Sequence, residues 1–227
     1  MLNSNISSLN NADIENAISV NSLFPYRLSR LINNKGLRLI HVSTDAVFSH
    51  KSKSVYEDSL PNPDSIYGYT KLLGEVINGN ILNIRCSFIG PSLDIKNNIW
   101  SKIHGLEKNT TINGYENHNW SGVTINQFCE ICHYLFEPNN FFEALARSNI
   151  HHFCPNKPIS KFDLMKLIAN QIRPDVTVIK HNDKLSVTRN LVSNNDFLNS
   201  KILINNYNWS KLIKQCSIFF NDQIFNI

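Results

Sequence analysis

The chain has little glycine and none early: eight among 227 residues, the first at Gly36. A glycine-rich turn, in which backbone amides close on a phosphate, is excluded ahead of Gly36, because any side chain would fill the space the phosphate needs. No apolar run approaches the roughly 20 residues that span a bilayer, so no membrane association is expected. The 22 Lys and Arg exceed the 18 Asp and Glu by a formal +4 but never gather into a basic run, so a nucleic-acid partner is not indicated. The five cysteines (Cys86, Cys129, Cys132, Cys154, Cys216) are odd in number and scattered, and no signal-peptide pattern accompanies them. A disulfide framework is therefore not expected, and a reduced cytoplasm is. Cys129, Cys132 and His133 have the spacing of half a metal site, but no second pair follows. Their spacing reads as one face of an amphipathic helix, with no metal site.

What is present is a 42% hydrophobic chain long enough for one large domain or a domain with a lobe. Apolar residues from Ala12 to Asn34 recur at helical spacing around Pro25, which predicts a long helix kinked at the proline. Behind Gly36, "LRLIHV" (37–42) reads as a buried parallel strand. A polar loop (50–64), a helix (67–77) and a second buried strand, "ILNIRCSFI" (81–89), follow. This alternation predicts an α/β layer structure with a parallel sheet. Beyond Gly90 the elements shorten. Helices are expected near 97–107, over 125–136 and 160–171, and after Trp209, with strands near 150–153 and at "VTVIK" (176–180). "NGYENHNW" (113–120) reads as a turn, the Asn pairs at 139–140 and 194–195 as loops, and Ser160 as an N-cap. His41 is expected to be a satisfied core histidine, and His151 with His152 lacks a third ligand.

The first strand runs into "STDAVF" (43–48), which puts the Ser43 and Thr44 hydroxyls at the carboxyl edge of a parallel sheet, where such sheets hold ligands. Tyr67 and Lys71 stand one turn apart on one face of the next helix. A phenol has an ordinary pKa of about 10, and a nearby ammonium is expected to lower it. Tyr67 then exchanges a proton with a carbonyl oxygen that a Ser or Thr hydroxyl polarises. The same lysine suits a ribose hydroxyl of a nicotinamide cofactor.

"HVSTDAVF" followed by "YEDSLPNPDSIYGYTKLLGE" resembles the extended short-chain dehydrogenase/reductase family, and within it the dTDP-4-dehydrorhamnose reductase group. The resemblance implies a Rossmann-type sheet and NAD(P)H-dependent reduction of a 4-keto group on a nucleotide-activated deoxysugar. Thr44, Tyr67 and Lys71 carry the catalysis on that pattern, and Tyr67, Lys71 and Ser43 face the cofactor. "AISVNSLFPYRLSRL" looks like the helix before the active-site strand, with Asn21 at a position where the family often keeps asparagine. "NIRCSFIGP" resembles the segment after the catalytic helix, placing Arg85 and Ser87 near the sugar nucleotide; Arg85 admits a diphosphate contact or a structural salt bridge. Trp120 of "WSGVT" fits a sugar pocket or plain packing, and Arg189 of "VTRNLVSN" carries over from an Asp-Arg-Ser-Leu pattern that Thr188 and Asn190 break.

The family opens with a glycine-rich turn, and here only one helix precedes the STD strand. The expectation is an N-terminally truncated version: a partial Rossmann-type sheet over 1–90 lacking its first βαβ portion, and a substrate lobe over 91–227, with some segments returning to the sheet. Such a sheet leaves an apolar edge for a second copy or a complementing N-terminal fragment. NAD(P)H is the cofactor the resemblance implies, and the missing glycine turn puts its binding in doubt; a non-catalytic version is expected to bind sugar nucleotide or protein but not NAD(P)H. Two other readings stay open, a non-catalytic nucleotide-sugar-binding or partner subunit and a sugar-nucleotide epimerase or dehydratase.

Overall fold

The structure is a computed structural model that describes residues 11–92, 98–202 and 208–224. The expected N-terminal helix is one continuous helical segment in three parts: α1 (Asn11–Ala17), a π-helical stretch (Ile18–Leu23) and α2 (Phe24–Lys35). Pro25 has no N–H to offer the Asn21 carbonyl and its ring crowds that carbonyl, so the ladder widens just before the proline. α2 ends where Gly36 adopts a left-handed φ of 64° and its N–H returns to the last turn.

The chain then lays down β1 (Leu39–Val42), crosses through α3 (Ile66–Leu73) to β2 (Ile81–Arg85), and later adds β7 (Ile150–His152). These form a three-stranded parallel sheet in the order β1-β2-β7. Strand alternation gives the sheet two unlike faces. Ile40, Val42, Leu82 and Ile84 join the apolar core formed with α5 (Ile125–Phe136), α6 (Pro138–Arg147) and α8 (Phe197–Ile202). His41, Asn83, Arg85 and His152 populate the other face, beneath α3 and the segment that leads out of it, as a hydrogen-bonded polar layer. β1 pairs with β2 on one side and, among the described residues, with no strand on the other.

The second strand is shorter than its sequence predicts. β2 stops at Arg85, and β3 (Phe88–Ile89) leaves the sheet to pair with β6 (Val123–Thr124). A second core lies among α4 (Ile99–His104), α7 (Lys161–Ile172) and α9 (Trp209–Ile224), centred on Trp100, Ile103, Leu164, Ile168 and Ile213. Of the helix expected over 97–107, α4 is the helical part, and residue 97 lies outside the described residues. "NGYENHNW" is a turn only at Glu116 and Asn117, with strand on either side: β4 (Thr111–Tyr115) pairs with β9 (Thr177–His181), and β5 (His118–Trp120) lies between β10 (Val187–Arg189) and β8 (Ile159–Ser160). Asn139 and Asn140 are not in a loop but in the first turn of α6, which has Pro138 at its first position and buries Phe141 and Ala144. Ser160 does cap α7, accepting the Asp163 N–H at 3.0 Å.

Candidate functional site

Two helix–strand contacts set the height of α3 against β1. Lys71 Nζ donates to the Val42 carbonyl at 2.7 Å, and the Thr44 hydroxyl lies near enough to act on the Tyr67 phenol. Four helical residues climb about 6 Å, close to the roughly 6.6 Å that two strand residues span. The helix therefore runs antiparallel to the strand with the two contacts in register. Glycine allows the approach: a Cβ on Gly68 would lie 2.2 Å from the Ala46 carbonyl, and one on Gly74 1.9 Å from the Asn21 carbonyl. That carbonyl belongs to the π-helical stretch ahead of Pro25, and two side chains beside it tie the same stretch to α3, Asn21 Nδ2 to Thr70 Oγ1 at 3.1 Å and Ser22 Oγ to the Thr70 carbonyl at 2.8 Å.

Thr44 and Tyr67 are thus brought together, and Lys71 is not where the sequence suggested. Its amine bonds to Val42 O and approaches His41 Nε2 at 3.4 Å. His41 Nδ1 faces Asn83 Oδ1 at 3.0 Å, and Asn83 gives its own protons to two carbonyls. The ring is therefore neutral with its proton on Nδ1, and burial depresses its pKa. Burial also lowers Lys71, with Glu75 opposing. The expected depression of Tyr67 is not seen: burial raises the phenol, the Thr44 hydrogen bond offsets part of that, and the Asp45 carboxylate adds to it. At neutral pH Tyr67 holds its proton and is a donor.

Ser43 and Arg85 need correction. Ser43 Oγ donates to Glu75 Oε1 at 2.5 Å and is buried, so its hydroxyl is not free for a cofactor. Arg85 sends Nε and Nη2 to the two Glu75 oxygens at 2.9 and 2.8 Å, lies over the Phe48 ring at 5.2 Å, and is 2% exposed. Of the two alternatives, a diphosphate contact and a structural salt bridge, the structure has the salt bridge. His151 and His152 point to opposite faces of β7, His151 to the Ala144 and Ser148 carbonyls and His152 to Val192 O and Arg85. They do not converge on one ion, and no group of three metal-ligating side chains occurs among the described residues.

Ser87, Trp120 and Arg189 line one cavity of about 270 Å³, with Phe88, His118 and Lys161. A second cavity of about 460 Å³ shares Lys161 and Ile99 with it. Arg189 links the cavity to Thr44 and Tyr67: Nη1 stands 3.7 Å from Asp45 Oδ1, and its charge acts on Tyr67. Lys161, Asp45 and His118 were missed from sequence. Lys161 left a signal, since a cation at the first position of a helix opposes the macrodipole and calls for a reason. It lies over the Tyr115 ring at 5.3 Å, and burial with repulsion from Lys102 lowers its pKa. Glu57, also missed, fastens the 50–64 loop, accepting from the His152 and Asn194 amides and the Ser193 hydroxyl.

A parallel sheet thus carries a phenol and a hydroxyl at its carboxyl edge, and Arg189 joins them to a cleft. The chain belongs to the family described as the RmlD substrate binding domain, whose model matches residues 10–191. Its fold is similar to that of a dTDP-4-dehydrorhamnose reductase from Clostridium acetobutylicum, with TM-score 0.73 and 18% identity over 92% of this chain and 75% of that one. A Bacillus anthracis dTDP-4-dehydrorhamnose reductase solved with NADP gives TM-score 0.69 and 16% identity over 92% and 74%. A UDP-glucuronic acid 4-epimerase from Bacillus cereus solved with NAD gives 0.67 and 17% over 97% and 71%. Comparison with the curated proteins finds no match.

A dinucleotide needs a glycine turn opening a helix at the sheet's carboxyl edge. Among the described residues no glycine is so placed: Gly36, Gly74 and Gly105 end helices, Gly68 lies inside α3, and the others lie in strands and connections. These residues do not fit a whole dinucleotide.

Proposed function

We propose that this chain binds a nucleotide-activated keto sugar and presents its carbonyl to Tyr67, the proton-transfer half of a 4-keto-deoxysugar reductase. The observation that carries the reading is the continuity of the Thr44–Tyr67 pair, through Arg189, with a cleft that holds cations at Arg189 and Lys161 and an indole at Trp120. In this reading Arg189 and Lys161 neutralise the diphosphate and Trp120 covers the sugar. Ser87 hydrogen-bonds at the cleft wall. Thr44 turns its hydroxyl proton from Asp45 Oδ1, 3.2 Å away, to the carbonyl oxygen, and Tyr67 supplies that oxygen's proton. Lys71 fixes α3 to the strand end. The lack of a glycine cradle among the described residues favours one second reading, a nucleotide-sugar-binding subunit that does not itself turn over.

Calorimetric titration of the chain separately with thymidine diphosphate and with NADPH tests both. Thymidine diphosphate is expected to bind, and R189Q and K161A each to weaken it about tenfold or more, the worth of a hydrogen bond to a charged group. NADPH is expected not to bind the chain alone. Absence of nucleotide binding, or binding indifferent to both substitutions, would end the proposal. Tight NADPH binding would remove the subunit reading.

A further inference from the structure

The molecule has two arginine–carboxylate pairs beside the site, and they are built differently. Arg85 is locked on Glu75 by two short hydrogen bonds, both side chains at most 4% exposed. Arg189 stands 3.7 Å from Asp45, beyond hydrogen-bond range, and is 33% exposed on the wall of the cleft, while Asp45 is 6% exposed. The Asp45 Oδ1 atom also accepts from the Thr44 hydroxyl at 3.2 Å, and its Oδ2 atom is buried with no partner. The titratable and charged groups facing this carboxyl are Arg189 from β10, Tyr67 from α3 and Cys86 after β2.

We propose that Arg189 is a shared guanidinium: a phosphate-bearing ligand in the cleft draws it off Asp45, and Asp45 takes up a proton from water in exchange. The inference rests on reading the cleft as the site of a nucleotide diphosphate. A loosely held, half-exposed cation reorients toward a second anion at little cost. A buried carboxylate that loses the one cation acting on it among the described residues, and that is already short of one partner there, is driven toward the neutral acid by desolvation. Burial already raises the Asp45 pKa and Arg189 opposes that rise, so withdrawal of Arg189 removes the opposing cation. Charge balances: the ligand anion gains the guanidinium, and the carboxylate gains one proton from solvent. Asp45 is then a positioning residue that acts through Arg189 and makes binding of an anionic substrate proton-linked.

The test is calorimetry of thymidine diphosphate binding to the full chain in buffers of different ionisation enthalpy, at about pH 8, where the terminal phosphate group is fully ionised. The wild type is expected to take up about one proton per bound ligand, and its affinity to fall up to about tenfold per pH unit as pH rises. D45N keeps the shape of the side chain, and is expected to bind at least as tightly with no uptake and a flat pH profile. R189Q is expected to bind more weakly, also without uptake, since its Asp45 has no cation to lose. Binding without proton uptake in the wild type, or uptake that survives in D45N, overturns the exchange and leaves the cleft reading standing. Failure of the wild type to bind at all overturns both.

Discussion

Glu75 to glutamine is the sharpest perturbation of the polar layer under α3. The substitution keeps the shape of the side chain, but it turns one of the two oxygens that accept from Arg85 into an NH2 group that can only donate, and it leaves the Arg85 guanidinium, 2% exposed, beside a neutral amide. Two unit charges about 4 Å apart at an effective dielectric near 20 interact by about 4 kcal/mol. Breaking one side of a buried pair costs about 3–5 kcal/mol, because the remaining charge is left uncompensated. Against a typical total of about 5–15 kcal/mol, E75Q is expected to lose a large fraction of the stability. The triple variant S43A/E75L/R85M removes both charges and the hydroxyl that donates to Glu75 at 2.5 Å, and is expected to stay within about 2 kcal/mol of wild type. Urea unfolding at constant m-value reads both. Thymidine diphosphate titration of the triple variant then separates the roles of Arg85, since affinity should be unchanged if the guanidinium only pairs with Glu75. A loss below about 1 kcal/mol in E75Q, or a triple variant as weak as the single one, would refute the reasoning.

Gly74→Ala would place a Cβ 1.9 Å from the Asn21 backbone carbonyl, so it is expected to cost about 1–3 kcal/mol of overpacking; an unchanged melting temperature would contradict that contact. Thr124 and Gln127 form a reciprocal capping box at the start of α5, and T124A is expected to cost about 1 kcal/mol in thermal melts; a neutral substitution would count against it. Burial depresses His41, His151 and His152 below the ordinary histidine value of 6.5, so the unfolded chain binds more protons as pH falls below that value. Stability is therefore full above the unfolded pKa and declines below it, by up to about 1.4 kcal/mol per pH unit for each ring, while Asp45, raised by burial, works in the opposite sense wherever it titrates. Urea midpoints that stay flat or rise from neutral to mildly acid pH would refute the neutral-ring assignment.

The sheet and the helix that bears Tyr67 were legible because each is written in local spacing: an apolar run behind Gly36 and a helix start some two dozen residues after the strand. Arg85 was not, because alternation along β2 tells which face a side chain takes and not that Glu75, past the end of α3, waits on that face. Lys71 shows the same limit. Its spacing puts it on the face of Tyr67, yet a long flexible stem reaches the nearest buried carbonyl, and that is Val42 O. α6 was missed because Pro138-Asn139-Asn140 has the composition of a turn, although proline suits a first helical position and Phe141 and Ala144 supply the burial that overrides propensity. β4 and β5 were missed because their residues are mostly polar and their parallel partners lie 66 residues further along in β9 and 69 further along in β10.

The Tyr-x-x-x-Lys spacing by itself does not make the site, since any helix places such a pair on one face. Placement against the strand does, and two glycine contacts fix it. Gly68 sets the distance of α3 from the Asp45–Val47 turn, and Gly74 sets its distance from the π-helical stretch that Pro25 imposes on the preceding helix. Sliding α3 by one turn along β1 would bring Lys71 to Thr44 and carry Tyr67 past the end of the strand. It would also put backbone bearing side chains where only glycine fits, at both contacts together. The placement of Tyr67 beside Thr44 is therefore held from outside the pair, by close packing on the far sides of the helix, and Asn21, Pro25, Gly68 and Gly74 fix the candidate site as firmly as the phenol does.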